Sequence, residues 1–129
     1  MTWDLSKIEQ LLATRSEWVV TNEGSCICVT NEDGLDSYIA ISGEQILVES
    51  ILFAKQQVAN TAALNEEILK THHIFPLTAV AMTTIEGADY YMAFGALSSS
   101  SDADSIMKEV DMLLVNISGF LEAYESFLK

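Results

Sequence analysis

The sequence predicts one α+β domain over residues 1–129, in which a twisted antiparallel sheet of about six strands packs against three helices. Short alternating apolar runs recur between tight turns over residues 17–53 and 77–96, which is typical of antiparallel strands. Apolar residues with a helical period lie at the start, in the middle and at the end of the chain. These observations give the element order α-β-β-β-β-α-β-β-α.

The first half of the chain is predicted to contain one helix and four strands. Thr2–Thr14 is the helix, because Leu5, Ile8 and Leu12 recur at helical spacing. The strands that follow are separated by turns rich in Asn, Asp, Ser and Gly, residues that favour tight turns. The predicted strands are Trp18–Asn22, Ser25–Thr30, Ser37–Ile41 and Gln45–Phe53.

The middle of the chain is predicted to contain a second helix and a hairpin. Asn60–His73 is the helix, with Asn60 or Thr61 as its cap and Pro76 preventing its continuation. Leu77–Thr84 and Tyr90–Ala96 form the hairpin around a turn that contains glycine.

The last predicted helix, Asp102–Leu128, is long, and Ser101 with Asp104 resembles a capping box at its start. Its length of about 40 Å exceeds what a small domain needs to cover one sheet. Its distal apolar residues therefore either dock on a second subunit or pack diagonally on their own sheet. Gly119 lies in the helix interior, which indicates close packing or a bend there.

The acidic composition disfavours some partners. The chain carries 19 acidic and 6 basic residues, a formal charge of −13, and such a surface repels nucleic-acid phosphates and anionic membranes. No apolar stretch approaches the roughly 20 residues of a membrane-spanning helix, and Met1–Gln10 lacks a signal-peptide pattern. The sequence therefore predicts a cytoplasmic protein that neither enters membranes nor binds nucleic acid, with reduced cysteines.

Two residue pairs are candidates for chemistry. Cys26 and Cys28 share a face of their predicted strand and could meet one metal ion, but a structural zinc site needs about four ligands and the chain has no other cysteine. His72 and His73 are adjacent on a helix and point about 100° apart, so their rings do not naturally share a ligand. The favoured interpretations are two reduced thiols on the sheet and two histidines that complement the helix dipole.

The stretch LNEEILKTHHIFPLTAV, followed by YYMAFGALSSSS, resembles the YjfI-like proteins, a bacterial family of unknown function. SGEQILVESILF and the acidic C-terminal helix extend the similarity over most of Ile39–Leu128. The resemblance implies no catalytic residue and no cofactor. The family's element order resembles the type III secretion chaperone-like fold, which implies a small acidic homodimer that binds other polypeptides. Its members are encoded near phage-shock-protein-A-like membrane-stress proteins, which implies a coiled-coil partner of that kind.

The predicted function is therefore a non-enzymatic protein-binding module, acting as a chaperone, adaptor or regulator and forming a homodimer. The alternative is a small-molecule binder or small enzyme that uses the Cys26/Cys28 or the His72/His73 region. Exposed tyrosine and methionine side chains make adaptable contact surfaces. The predicted contact residues for a partner or a second subunit are Met82, Tyr90, Tyr91, Met92, Phe120, Tyr124 and Phe127.

Overall fold

The computed structural model describes residues 2–129 and confirms the α+β architecture and the predicted element order. The helices are α1 (Leu5–Leu12), α2 (Thr61–Thr71) and α3 (Ala103–Tyr124). The strands are β1 (Val19–Asn22), β2 (Ile27–Thr30), β3 (Asp36–Ser42), β4 (Gln45–Ala54), β5 (Ala79–Ile85) and β6 (Ala88–Ser98). Short 3-10 segments follow β4, α2 and α3 at Lys55–Gln57, His72–Ile74 and Glu125–Phe127.

The six strands form one antiparallel sheet in the order β1-β2-β3-β4-β6-β5. The first four strands follow the chain as a meander. The crossover through α2 then brings the chain to the far edge, where β5 lies, and the hairpin returns β6 to the side of β4. The two longest strands, β4 and β6, are therefore central neighbours, and β5 is left with a free edge.

Short polar side chains start each helix by accepting hydrogen bonds from backbone N–H groups that the first turn leaves unpaired. Asp4 accepts from Lys7 in α1, and Asn60 accepts from Ala63 in α2. Asp102, rather than the predicted Ser101, caps α3 by accepting from the Ser105 N–H at 2.8 Å. This backbone hydrogen bond lowers the pKa of Asp102 below its usual range.

Several predicted boundaries differ from the observed ones by a few residues, and two of the differences have a local reason. Strand β2 begins at Ile27 rather than Ser25, because the Glu23 N–H donates to the Cys26 carbonyl and closes a turn around Gly24. Helix α2 ends at Thr71 rather than His73, where the chain tightens into a 3-10 turn. Cys26 therefore lies in a turn, and the two histidines lie beyond the α-helix.

The core lies between the helices and one face of the sheet. Helix α3 packs against β3, β4 and β6, and α1 packs against β1 and β2. The side chains between these layers, such as Ile39, Val48 and Ile106, are fully buried. The opposite face of the sheet carries no helix.

The distal part of α3 is used inside the chain. Phe120 and Tyr124, predicted as contacts to a partner or second subunit, are both 0% exposed. The Tyr124 hydroxyl lies 3.0 Å from the Thr71 hydroxyl of α2. Phe127 is half-buried, and its carbonyl accepts a hydrogen bond from the Ala59 N–H. The apolar stripe therefore covers the chain's own sheet and α2, which agrees with diagonal packing.

None of the helices over residues 2–129 is long and apolar enough to cross a membrane.

Gly119 tests the packing of α3, and we expect Gly119→Ala to destabilise the protein. A Cβ atom at this position would lie 2.8 Å from Cε1 of Phe75, whose ring is held 4.2 Å from the ring of Phe120. The better helix propensity of alanine, about 1 kcal/mol, opposes an overpacking cost of about 1–3 kcal/mol. Urea unfolding should give a lower free energy of unfolding for the variant.

The matched control is Ser118→Ala, because Ser118 is the exposed neighbour on the same helix. This substitution should leave stability unchanged or raise it slightly. A Gly119→Ala variant that is as stable as the Ser118→Ala variant would show that the Phe75 ring does not constrain this site.

Candidate functional site

The two faces of β6 differ in what covers them. Tyr91 and Ala93 point toward the helices and are 2% and 0% exposed. Tyr90, Met92 and Phe94 alternate with them on the opposite face and stay half-buried. One strand thus supplies both a core face and a face that no helix covers.

The same alternation continues across the neighbouring strands. Residues that are paired across the ladder share a face, and Ile51 of β4 pairs with Met92, while Leu47 pairs with Ala40 of β3. We call the uncovered side the open face. Its central residues are Tyr38, Ala40, Leu47, Glu49, Ile51, Tyr90, Met92 and Phe94, and Asp36 of β3 lies on the same side beyond Tyr38.

The open face is apolar although it is in contact with water. Ile51, which pairs with Met92, is 41% exposed, and among the strand residues on this face only Asp36 and Glu49 are charged. An antiparallel sheet with one solvated face usually carries polar side chains on that face. A contiguous apolar patch on a protein surface marks an interaction site.

The structure separates the tyrosine and methionine residues that the sequence grouped as one contact surface. Tyr90 and Met92 lie on the open face. Tyr91 is in the core, where its hydroxyl donates to the Asn65 side chain at 2.6 Å. Met82 pairs with Tyr91 and therefore lies on the helix side, at the free edge of β5, with 40% of its surface exposed.

The two cysteines do not form a reactive pair. Cys28 pairs with Tyr38 across β2 and β3 and is 8% exposed. Burial raises the pKa of the Cys28 thiol, and the nearby Asp36 carboxylate adds to this effect. A thiol with a raised pKa is a poor nucleophile. Residues 2–129 contain no cluster of three or more His, Cys, Asp or Glu side chains that could hold a metal ion.

His72 has a structural contact that its sequence context did not predict. Its Nε2 atom accepts a hydrogen bond from the Val80 N–H at 2.6 Å, which requires that this nitrogen be unprotonated. Val80 lies in the edge strand β5, whose outward amides have no ladder partner. His72 therefore protects one position of an otherwise unpaired sheet edge. His73 is exposed beside it in the 3-10 turn.

A cleft of about 740 Å³ lies where β6 extends beyond β5, and we call it the Glu109 cleft. The β5–β6 ladder ends at Ala79 and Phe94, so the last residues of β6 have no strand beside them on that edge. The start of α3 forms the opposite wall. The lining residues are Pro76, Leu77, Ala96, Leu97, Ser101, Ser105, Lys108, Glu109 and Met112.

Glu109 is the unusual group in this cleft. The residue is 7% exposed, and no hydrogen bond or ion pair to it exists within residues 2–129. Its carboxyl group lies over Gly95, where a Cβ atom would be 2.9 Å from Cδ of Glu109. Burial raises the pKa of the Glu109 carboxyl above its usual range.

The sequence interpretation missed Glu109, although a signal was present. Glu109 stands three residues after Ile106 and four before Leu113, both of which belong to the apolar stripe of α3. A carboxylate at that spacing is predicted to face the core. Asn116 lies on the same buried stripe and donates to the Pro76 carbonyl and the Thr78 hydroxyl, which fixes the loop before β5.

Residues 2–128 match the DUF2170 family, described as an uncharacterised protein conserved in bacteria. The chain belongs to this family. It is 27% identical to the uncharacterised protein YjfI of Escherichia coli over 131 residues, an alignment that covers 98% of both chains. The resemblance to YjfI-like proteins is thereby confirmed.

Three solved structures share the fold of this DUF2170 member. YbjN of E. coli, proposed to be a transcription regulator, superposes with a TM-score of 0.75 at 11% identity, covering 97% of this chain and 96% of YbjN. A chain of the HopA1–SchA chaperone–effector complex has a TM-score of 0.64 at 12% identity, with coverage of 93% and 98%. A chain of the ExsC–ExsE complex has a TM-score of 0.62 at 12% identity, with coverage of 96% and 95%. The expected chaperone-like fold is confirmed.

The raised pKa of Glu109 predicts that Glu109→Gln stabilises the protein at neutral pH. The ordinary pKa of a glutamate carboxyl is 4.5, so the unfolded chain releases the Glu109 proton as the pH rises above this value. The folded chain keeps the proton to a higher pH. Stability is therefore lost as the pH rises through the raised folded pKa, and glutamine avoids this loss. Urea unfolding at several pH values should show a gain at pH 7 that shrinks below pH 4.5.

Glu122→Gln is the control, because Glu122 is exposed on the same helix. Its effect on stability should vary little over that pH range. Equal effects of the two substitutions at every pH would contradict a desolvated Glu109.

Proposed function

We propose that this chain is a non-enzymatic protein-binding module whose open face receives an apolar segment of another polypeptide. The observation that carries the proposal is the uncovered apolar face itself. Half-exposed aromatic and aliphatic side chains stand together there, on a rigid central pair of strands. Buried contacts of this kind supply most of the binding energy in protein interfaces.

The distribution of charge supports a partner of particular chemistry. The chain carries a formal charge of −13, yet only Asp36 and Glu49 are charged among the strand residues on the open face. An apolar segment flanked by Lys or Arg would bury its apolar side chains on this face and be steered by the acidic surroundings. A second copy of this chain brings the same excess of negative charge, which disfavours it as the occupant of this face.

The structural neighbours are consistent with this proposal. The HopA1–SchA structure is described as a chaperone–effector complex, so a chain with this fold occurs bound to another protein. Shared fold does not establish shared function, and the proposal therefore rests on the face and not on the neighbours. We also retain the predicted cytoplasmic location and the coiled-coil membrane-stress protein as a candidate partner.

Ile51 gives the sharpest test, and we expect Ile51→Glu to weaken the binding of a purified partner. Cross-linking in cells followed by mass spectrometry supplies the candidate partner, which is then purified and titrated calorimetrically. A charge introduced at the centre of an apolar interface should raise the Kd at least about tenfold, or about 1.4 kcal/mol. The fold should persist, because Ile51 is already 41% exposed.

The matched control is Val115→Glu, which adds the same charge at a valine of α3 that is 59% exposed and outside the open face. This variant should bind the partner as the unsubstituted chain does. Equal losses for the two variants, or the absence of any polypeptide partner for the folded chain, would overturn the proposal. Self-association that Ile51→Glu abolishes would assign the face to a second copy instead.

The predicted homodimer is retained as a separate proposal. Its original argument, an unused apolar end of α3, does not hold, because Phe120 and Tyr124 are buried within the chain. The homodimer would then be held by other exposed apolar residues, such as Leu69, which is 75% exposed. Light scattering should give twice the chain mass of 14.2 kDa, and a value of 14.2 kDa at micromolar concentration would contradict it.

A further inference from the structure

We propose that the Glu109 cleft is a binding site for a primary alkylammonium group with an apolar stem. Two sources have this chemistry, a free aliphatic amine and the side chain of a lysine in a polypeptide. The site is separate from the open face, because Glu109 points from α3 toward the helix side of Gly95. The inference does not depend on what covers the open face.

The carboxyl of Glu109 is the first reason. The Glu109 residue is 7% exposed, and its side chain lines the cleft without an ionic or hydrogen-bonding partner in residues 2–129. A buried carboxylate without a partner is costly, and a cation that enters the cleft removes much of that cost. Burial also raises the pKa of this carboxyl, which means that the cleft disfavours the ionised carboxylate. An ammonium group in the cleft would favour the ionised carboxylate again.

Lys108 does not already supply this cation. Lys108 also lines the cleft, but it is exposed and, as the neighbour of Glu109 on α3, its side chain leaves the helix about 100° away from that of Glu109. No ion pair joins Lys108 to Glu109 within the described chain.

The walls of the cleft are the second reason. Leu77, Leu97 and Met112 surround the carboxyl with apolar surface, which suits the methylene stem of a lysine or an alkylamine. The volume of about 740 Å³ is within the range of ligand sites, about 300–1,000 Å³. The flexible side chain of Met112 can adapt to stems of different length.

Gly95 is the third reason, because it makes room for the carboxyl. A side chain at this position would meet Glu109 Oε1 and Cδ, and would also lie 3.2 Å from the Leu77 carbonyl oxygen. Glycine in a central strand carries a cost in stability. Here it lets the Glu109 carboxyl approach the sheet backbone, so that the group lies at the base of the cleft rather than in bulk water.

The test is a titration of the whole chain, monitored by NMR, with n-pentylammonium chloride, with Nα-acetyl-lysine methylamide and with 1-pentanol as the neutral analogue. Ionic strength is held constant. Both amines should shift the Met112 methyl and the Glu109 carboxyl resonances saturably, and pentanol should bind at least about tenfold more weakly. Tighter binding of pentylammonium identifies a free amine as the source, and tighter binding of the lysine derivative identifies a polypeptide.

Glu109→Gln should weaken the binding of both amines at least about tenfold, whereas Glu122→Gln, on the exposed side of the same helix, should leave it unchanged. Binding should also weaken as the pH falls and Glu109 takes up a proton. The proposal is overturned if neither amine binds saturably, if pentanol binds as tightly as pentylammonium, or if Glu109→Gln binds both amines normally. None of these results depends on the existence of a protein partner.

Discussion

The placement of every helix on one side of the sheet is the constraint on which the rest of the structure depends. Because side chains alternate along a strand, this placement divides β3, β4 and β6 into a largely buried set and a set that only neighbouring side chains of the sheet can cover. In β6 the division separates Tyr91 and Ala93 from Tyr90 and Met92. A core that covers only half of the apolar side chains of these strands leaves the other half uncovered by any helix.

The unequal lengths of β5 and β6 create a second feature of the surface. Strand β6 extends past the point where β5 begins, and α3 continues over this extension on the helix side. The uncovered corner becomes the cleft at whose base Glu109 lies. Asn116 holds the loop that borders it by donating to the Pro76 carbonyl. The open face and the cleft thus lie on different sides of β6.

The fold could be predicted from the sequence further than the site could. Turn residues, the helical repeat of apolar residues and their alternation in strands give the order of the elements, because each of these signals is local in the sequence. The position of β6 beside β4 depends on pairing between distant segments and carries no local signal. The open face was not predictable either, because Tyr90, Tyr91 and Met92 are large on both faces. Phe120 and Tyr124 were assigned to a partner because the sequence does not show that the loop at Phe75 packs against Phe120 and that α2 contacts Tyr124.

Solvent paramagnetic relaxation of methyl groups tests most directly whether a polypeptide partner buries the open face. The methyl resonances of Ile51 and Met92 are compared with those of Val115, which is 59% exposed on α3, in the free chain and with saturating partner. We expect a soluble paramagnetic agent to broaden the methyl resonances of all three residues in the free chain. The partner should protect Ile51 and Met92 from this broadening but not Val115. Protection of Val115 with Ile51 and Met92 still broadened would contradict burial of the open face.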